Sequence, residues 1–376
     1  MKVVVLGTRG FPDVQGGVEK HCENLYPELV KRGCEVTVFT RAPYVDLSNI
    51  EYKGVKLISL KCHRSKHLEA FTHTFKGVLA AKKFKPDILH IHAVGPSLFV
   101  PFAGLLGLRT VMTHHGPDYA RKKWNGFARA VLRWGERNGC KNARAVICIS
   151  EAIAKDVRKK FKRDVEVIPN GVMIPQEAQG TEALERFGLA KGKYILAVAR
   201  FVPEKGLGDL IESFNQIASI DHGPSTMDKK WKLVIAGDAD HEDAYSRNLK
   251  KKAGAVKGVV LTGFLSGKPL AELYSHAALF VLPSYYEGLP IVLLEAMSYG
   301  LSCIVSDIPA NKEVPLAQER YFRPGDIKAI AFKIEQFINK PLSEEEKSRQ
   351  LDLITQGYDW GRIAAETLAV YKQAIG

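Results

Sequence analysis

Leu279-Phe280-Val281-Leu282 is an apolar run that reads as a buried strand, and Pro283-Ser284-Tyr285-Tyr286-Glu287-Gly288-Leu289 follows it as a loop. Pro290 then stands where the first turn of a helix tolerates proline, and the helix is expected to run to about Tyr299 and stop at Gly300. A second apolar run, Cys303-Ile304-Val305-Ser306, makes the next strand. Such a strand–helix–strand unit implies a parallel sheet, with the helix N-terminus at the carboxyl edge of the strands. Free amides and the helix dipole favour an anion there, so this is the outline of a phosphate pocket. Glu287 and Glu295 frame it, eight positions apart. The helix is apolar nearly all round (Ile291, Val292, Leu293, Leu294, Ala296, Met297), so Glu295 needs a hydrogen-bond donor. As bare residues, the two carboxylates could simply complement the dipole and meet an arginine or a backbone amide.

The same alternation runs through the chain. In the first half, strands are predicted at 3–6, 36–39, 55–60, 88–92, 110–113 and 145–149, several separated by helical segments. In the second half they are predicted near 195–199, 233–236, 259–262, 279–282 and 303–306. The fold class is therefore α/β, with two Rossmann-like domains, which 376 residues accommodate. The expected divisions are 1–172, 173–355 and a closing segment 356–376. Polar residues 175–182 read as linker, and 219–230 as a surface insertion without assignable chemistry.

Composition narrows the function classes. Hydrophobic residues make up 46% and charged residues 25%, as in ordinary soluble proteins. The six cysteines have no metal-ligand or CxxC spacing, which argues against a zinc or disulfide framework. The apolar start, Met1 to Gly7, is too short for a signal peptide. The uncharged stretch 93–108 falls short of the ~20 apolar residues that span a bilayer. A cytoplasmic chain is expected. Charge is unevenly placed: residues 1–174 hold 30 Lys+Arg against 15 Asp+Glu, a balance of +15, while the remainder of a chain with net charge +13 stands at −2. The basic half should meet something acidic. Its densest segment is Arg121-Lys122-Lys123-Trp124 followed by Arg129, Arg133, Arg137 and Lys141. Four-residue spacing would place these last four on one stripe, with Phe127, Val131, Leu132 and Trp134 on other sides. A solvated helix face is the plainer reading of that stripe.

The carboxyl edges of other strands carry further candidates. The first loop, Gly7 to Gly17, is not a GxGxxG turn, which weakens a dinucleotide-oxidoreductase reading. Gly16-Gly17 opens a helix over 17–31, where it could be a flexible turn or a close approach to phosphate. His114-His115-Gly116-Pro117-Asp118 follows one strand, Arg200-Phe201-Val202-Pro203-Glu204-Lys205 another, and Gly237-Asp238-Ala239-Asp240 a third. Adjacent histidines rarely face one ion, so no metal site is expected from His114, His115 and Asp118.

The Glu287-Gly288-Leu289-Pro290 to Glu295-Ala296-Met297 signature resembles the donor site of glycosyltransferase family 4, the retaining enzymes of GT-B fold with two facing Rossmann-like domains and a cleft between them. The resemblance covers nearly the whole chain. It implies that Glu287 contacts the donor sugar and Glu295 the nucleotide ribose. Gly16 and Gly17 would face the donor diphosphate, and Arg200 and Lys205 would stabilise the departing diphosphate. Gly237 would turn near the nucleotide, and the Phe264 and Leu265 backbone would contact the base. His115 would stand in the family's His-Gly segment at the transfer site, with Asp118 near the acceptor. Asp238-x-Asp240 matches a metal motif of the other large glycosyltransferase fold, but here occupies the place of a family turn. No metal or other cofactor is expected. Residues 356–376, with Tyr358-Asp359-Trp360, resemble the closing segment that packs on the N-terminal domain.

The implied activity is retaining transfer of a sugar from a nucleotide-diphosphate sugar to a saccharide or lipid-linked acceptor in bacterial surface-polysaccharide synthesis. The implied location is the cytoplasm, at the inner face of the membrane, with contact to anionic lipid. The Gly7-Thr8-Arg9-Gly10-Phe11-Pro12 opening resembles a rhamnosyltransferase-like bacterial subgroup, making dTDP-rhamnose a candidate donor beside UDP-sugars. A nucleotide-sugar 2-epimerase of the same fold is the rival enzyme. The rival of another class is a non-catalytic basic protein binding membrane or nucleic acid, although no nucleic-acid module is visible.

Overall fold

The computed structural model describes residues 1–42, 44–45, 51–62, 69–120, 124–175, 180–218 and 231–376. Arg121, Lys122 and Lys123 of the basic segment, residues 176–179 of the expected linker and the whole of the insertion 219–230 lie outside the described residues. The chain forms two compact units, Met1–Gly171 with Asp359–Gly376, and Val172–Tyr358.

In the first unit the strands are β1 (Lys2–Leu6), β2 (Glu35–Arg41), β3 (Glu51–Tyr52), β4 (Val55–Leu60), β5 (Ile88–His92), β6 (Thr110–His114), β7 (Ala145–Cys148) and β8 (Glu166–Val167). Its helices are α1 (Gly17–Lys31), α2 (Glu69–Phe84), α3 (Val100–Leu105), α4 (Gly126–Asn142) and α5 (Glu151–Phe161). The sheet order is β3-β4-β2-β1-β5-β6-β7-β8, parallel throughout except for the β3–β4 pair. Val3, Val4, Val5 and Leu6 are fully buried, as a strand covered on both faces requires.

The second unit contains α6 (Glu182–Arg186), β9 (Tyr194–Val198), α7 (Leu207–Ala218), β10 (Lys232–Ala236), α8 (Ala244–Ala255), β11 (Val259–Gly263), α9 (Gly267–His276) and β12 (Leu279–Leu282). It continues with α10 (Ile291–Ser298), β13 (Cys303–Ser306), α11 (Pro309–Lys312), β14 (Tyr321–Phe322), α12 (Ile327–Phe337) and α13 (Glu344–Tyr358). The order β11-β10-β9-β12-β13-β14 is wholly parallel.

Both sheets reverse direction once, between β1 and β5 in the first and between β9 and β12 in the second. In open parallel sheets ligands bind beyond the carboxyl ends of the strands at that reversal. The backbone is tightly drawn at both points. Gly7 ends β1 at φ +102°, and a Cβ there would lie 2.2 Å from the His92 carbonyl oxygen at the end of β5. Gly206, at φ +64°, would place a Cβ 2.2 Å from the Pro283 carbonyl beyond β12. Only glycine fits either approach.

The chain re-enters the first unit at Asp359, slightly later than the expected 355/356. The Tyr358 hydroxyl donates to the Glu313 carbonyl at 3.1 Å, and the Tyr358 carbonyl accepts from the Val172 amide, so Tyr358 belongs to the second unit. Asp359 caps the final helix, α14 (Trp360–Ile375), accepting the Arg362 amide at 2.8 Å. Trp360, Ile363, Val370 and Tyr371 of α14 lie in the first unit's core beside Leu25, Tyr26 and Leu29 of α1.

Candidate active site

In the second unit, β12, the loop after it and α10 form where the sequence places them. Pro290 differs by one position: it is the N-cap residue, with extended ψ 100°, and Ile291 opens the helix. Gly300 leaves the far end at φ +66°. Glu287 sits in the loop at the sheet reversal, its side chain nearly buried. Lys205 Nζ donates to both its carboxylate oxygens, at 2.6 and 2.7 Å, and Ser284 Oγ donates at 2.7 Å. A carboxylate with this many donors is locked in one rotamer and keeps lone pairs for further hydroxyls. Lys205 is delivered by the short turn Pro203–Lys205 that Gly206 closes.

Glu295 lies on α10, half-buried, and the Tyr274 hydroxyl donates to it at 3.0 Å. A tyrosine on α9 thus supplies one donor of the kind this carboxylate needs. Tyr274 is itself stacked on Tyr299 with ring centroids 5.5 Å apart. Burial, then the Glu295 charge, raises the Tyr274 hydroxyl pKa, so it remains a donor. Gly288 is half-buried and Leu289 buried in the loop between the two acids.

Arg200 lies just beyond β9 and pairs with Asp240 at 2.8 Å, while Asp238 pairs with Lys250 at 3.0 Å. The two carboxylates of the Asp-x-Asp segment are thus each neutralised by a different cation. Gly237, at φ +135°, donates its amide to the Gly263 carbonyl at 2.9 Å. Phe264 is exposed and Leu265 half-buried beyond the edge strand β11, two strands from the reversal.

The first unit holds a second cluster. Gly16, at φ +151°, precedes α1, and a Cβ there would strike the Glu19 and Arg9 side chains. Arg9 donates to Glu19 from its amide at 3.0 Å and from Nε at 3.2 Å, and to the Gln15 carbonyl from Nη2. Burial would raise the Glu19 carboxyl, but the Arg9 charge and hydrogen bonds hold it below its ordinary value. The glycine pair is therefore a braced turn, and space is open beside Gly17.

His114 and His115, adjacent in sequence, part company. His114 bonds Glu136 at 3.1 Å through Nε2 and accepts the Gly116 amide through Nδ1, so both ring nitrogens serve the framework. Asp118 stands apart in the short turn Asp118–Ala120. His115 instead meets His92 at the end of β5 and His21 on α1. His92 Nδ1 is 2.9 Å from His115 Nε2, and ring centroids lie 5.0 Å apart for His21–His115 and 5.4 Å for His21–His92. His21 Nδ1 donates to Asn170 Oδ1 at 3.0 Å, and His92 Nε2 bonds the Tyr26 hydroxyl. Burial lowers the pKa of His21 to about 4; burial and the neighbouring rings take His92 and His115 well below the usual range. All three are neutral at physiological pH. His21, His92 and Asn170 were not singled out in the sequence. His92 lies inside an apolar strand, and the only available signal was His90-x-His92, two imidazoles on one strand face at a carboxyl edge.

Helix α4 carries the four-residue repeat of cations unequally. Arg129 is half-buried, and Arg133, with its guanidinium 5.3 Å over the Tyr119 ring, Arg137 and Lys141 are exposed. Phe127 and Trp134 share that exposed face, at 80% and 60% exposure, rather than packing inward. Gly135, Glu136, Gly139 and Cys140 make the buried side. Leu105, on the adjoining α3, is 86% exposed. Among the described residues no helix is long and apolar enough to cross a membrane.

The domain model described as Glycosyltransferase Family 4 matches residues 15–174, and that described as Glycosyl transferases group 1 matches residues 181–358. An uncharacterized glycosyltransferase of Methanocaldococcus jannaschii is 26% identical over 100% of this chain and 99% of its own. The UDP-Gal:alpha-D-GlcNAc-diphosphoundecaprenol alpha-1,3-galactosyltransferase of Escherichia coli is 29% identical over 61% of this chain and 60% of its own. Among solved structures, sucrose-phosphate synthase from Thermosynechococcus elongatus superposes with a TM-score of 0.81 at 20% identity, covering 99% of this chain and 98% of that one. Anabaena HepE in complex with UDP-glucose gives 0.77 at 19% identity, covering 98% and 99%. These likenesses establish the GT-B fold.

Proposed function

Because the chain belongs to the group 1 glycosyltransferases, with a Glycosyltransferase Family 4 domain as its first half, we propose that it transfers a sugar, with retention and without a metal ion, from a nucleotide-diphosphate sugar to a saccharide or lipid-linked acceptor of a surface polysaccharide. The observation that carries this reading is the Lys205–Glu287–Ser284 constellation at the sheet reversal of the second unit. Glu287, fixed by two donors, accepts sugar hydroxyls. Lys205 keeps a third N–H and Arg200 a second edge of its guanidinium for the departing diphosphate, whose charge grows as the glycosidic bond breaks. Glu295, oriented by Tyr274, takes the ribose hydroxyls. In the second unit Gly237, Phe264 and Leu265 would serve the base and the Pro290 end of α10 would offer amides to the phosphates; in the first unit Gly16 and Gly17 would offer amides to a phosphate as well. With Asp238 and Asp240 each paired to a cation, these groups neutralise the leaving group without a divalent ion. His115 shapes the charge felt by the reacting carbon, and Asp118 serves the acceptor.

UDP-sugars are the leading donors, supported by the UDP-glucose complex of the like-folded Anabaena protein and the UDP-galactose in the name of the Escherichia coli relative. The same name supports a lipid-diphosphate acceptor. So does the α4 face, where Phe127 and Trp134 stand among Arg133, Arg137 and Lys141. Aromatic rings that enter an interface beside cations that meet anionic head groups define a peripheral membrane contact. The test is a thermal-shift screen over UDP, dTDP, GDP and ADP, followed by transfer assays with the matching sugar nucleotides in EDTA. Stabilisation by UDP and EDTA-resistant transfer are expected. Activity silenced by chelation and restored by Mn²⁺ or Mg²⁺ would overturn the metal-free mechanism.

A further inference from the structure

Among the described residues His21 Nε2 is buried and finds no hydrogen-bond partner, an uncommon state for a polar atom and one that calls for an occupant. It lies with His92 and His115 so that one ring nitrogen from each falls within 4.8 Å of the others. We propose that His21 Nε2, His92 Nδ1 and His115 Nε2 form a binding site for a divalent transition metal of the Zn²⁺ class.

Three features carry this beyond proximity. The outward nitrogens are already committed in the manner of metal-bound histidines. His21 Nδ1–H donates to the Asn170 side-chain carbonyl, which turns the Nε2 lone pair inward, and His92 Nε2 is paired with the Tyr26 hydroxyl, which in the metal-bound tautomer accepts its proton and leaves Nδ1 for the ion. The His92–His115 spacing is also close to what the ion needs, and His21 Nε2 lies near enough to close on it. Tetrahedral Zn²⁺ with bonds of about 2.0–2.1 Å needs nitrogens ~3.3 Å apart. The His92–His115 pair, at 2.9 Å, opens by only a few tenths of an ångström when a metal replaces the proton they share. That proton moves to His115 Nδ1, so three neutral imidazoles bind without net proton release. Finally, His21 and His92 are buried whereas His115 is only partly so, and a fourth ligand and the ion itself would reach the cluster from its side. Three imidazoles and no carboxylate suit Zn²⁺, and disfavour Mg²⁺ and Mn²⁺.

Occupation withdraws His115 from sugar transfer, so the metal inhibits; this consequence rests on the proposed role of His115, but binding does not. Full-length protein is titrated with Co²⁺, whose visible absorption reports four-coordinate nitrogen ligation, and then with Zn²⁺ in competition. One Co²⁺ per chain, displaced by Zn²⁺ and not by Mg²⁺, is expected. Affinity should fall at least 100-fold in both His21→Gln and the half-exposed His115→Gln, and about 10- to 100-fold in Asn170→Ala. Melting temperatures identify any variant that has lost its fold. No cobalt absorption in the native protein, or unchanged affinity in folded His115→Gln, overturns the site. Stoichiometric binding with undiminished transfer keeps the site and instead overturns the role given to His115.

Discussion

The ammonium of Lys205 touches both carboxylate oxygens of Glu287 across the reversal of the second sheet, 82 positions apart in sequence. Neither group is free to move independently, so a change in one is felt in the other.

Lys205→Ala therefore leaves Glu287 nearly buried beside a single hydroxyl donor, and the cost should approach the ~3 kcal/mol of a broken buried pair. Turnover should fall on the order of 10²- to 10³-fold, the scale of one lost charge-stabilising donor. Glu287→Ala should slow turnover comparably while leaving nucleotide affinity nearly intact. Urea titration and single-turnover transfer check both. Equal turnover in Lys205→Ala and the native enzyme would remove Lys205 from the leaving-group site.

Glu295 is tested through its partner as well as directly. Glu295→Ala should weaken nucleotide binding by about tenfold or more, the worth of one to two hydrogen bonds to a charged group. Tyr274→Phe retains the stacking on Tyr299 but drops the hydroxyl, and should weaken binding less. Calorimetric titration with the preferred nucleotide reads both. Undiminished affinity in Glu295→Ala would exclude it from the ribose.

Much of this was legible in the sequence and some was not, for physical reasons. Strands β9, β10, β12 and β13 are apolar runs of four or five residues bounded by turn residues, so their pattern announces them. The two-residue strands β3, β8 and β14 carry no period to read. Glu287 and Glu295 lie on one local strand–loop–helix unit, whereas the histidine cluster gathers three separate elements at the end of the sheet, and spacing along the chain does not reveal that. Helix α4 shows a different failure. The spacing puts Phe127 and Trp134 on sides other than the basic stripe, yet it is Gly135 and Gly139 that face inward, where a Cβ at Gly135 would lie 2.2 Å from the Val94 carbonyl. Packing selects the face on which glycines permit close approach, together with Glu136 and Cys140, and Phe127 and Trp134 are turned out.

Acid should unfold the first unit early. His21 is held at about 4 and His73 and His90 at about 3, each by burial above all, and burial and neighbouring rings hold His92 and His115 well below the usual range. The unfolded chain takes up these protons near pH 6.5 while the native state refuses them, so stability is complete above that pH and declines as pH falls. Each such histidine contributes a loss of ~1.4 kcal/mol per pH unit below 6.5, until its native pKa is reached. Melting temperature should drop steeply between pH 6.5 and 5, and His73→Gln, remote from the three-histidine cluster, should flatten the slope by one proton. A melting temperature constant to pH 4.5 would contradict the buried, neutral state of these rings.

The exposed face of α4 makes the remaining prediction, in which apolar and charged contributions separate. If Phe127 and Trp134 enter the lipid interface, each adds roughly 1.5 kcal/mol of buried apolar area, and Arg133, Arg137 and Lys141 add about 1 kcal/mol apiece near an anionic surface. Only the charge contribution is screened by salt. Replacing Phe127 and Trp134 with alanine should weaken binding to anionic vesicles by about tenfold for each residue and leave its salt dependence unchanged. Replacing the three cations with glutamine should weaken binding at low salt on the order of 10²-fold and flatten the salt dependence. Because all five side chains point to solvent, melting temperatures should hold, and transfer to a water-soluble acceptor should persist while transfer to a vesicle-embedded one falls. Vesicle sedimentation across a salt series reads the first set of effects. Equal binding of the native protein to neutral and anionic vesicles would dissolve the electrostatic half of the argument, and undiminished binding of the double alanine variant the apolar half.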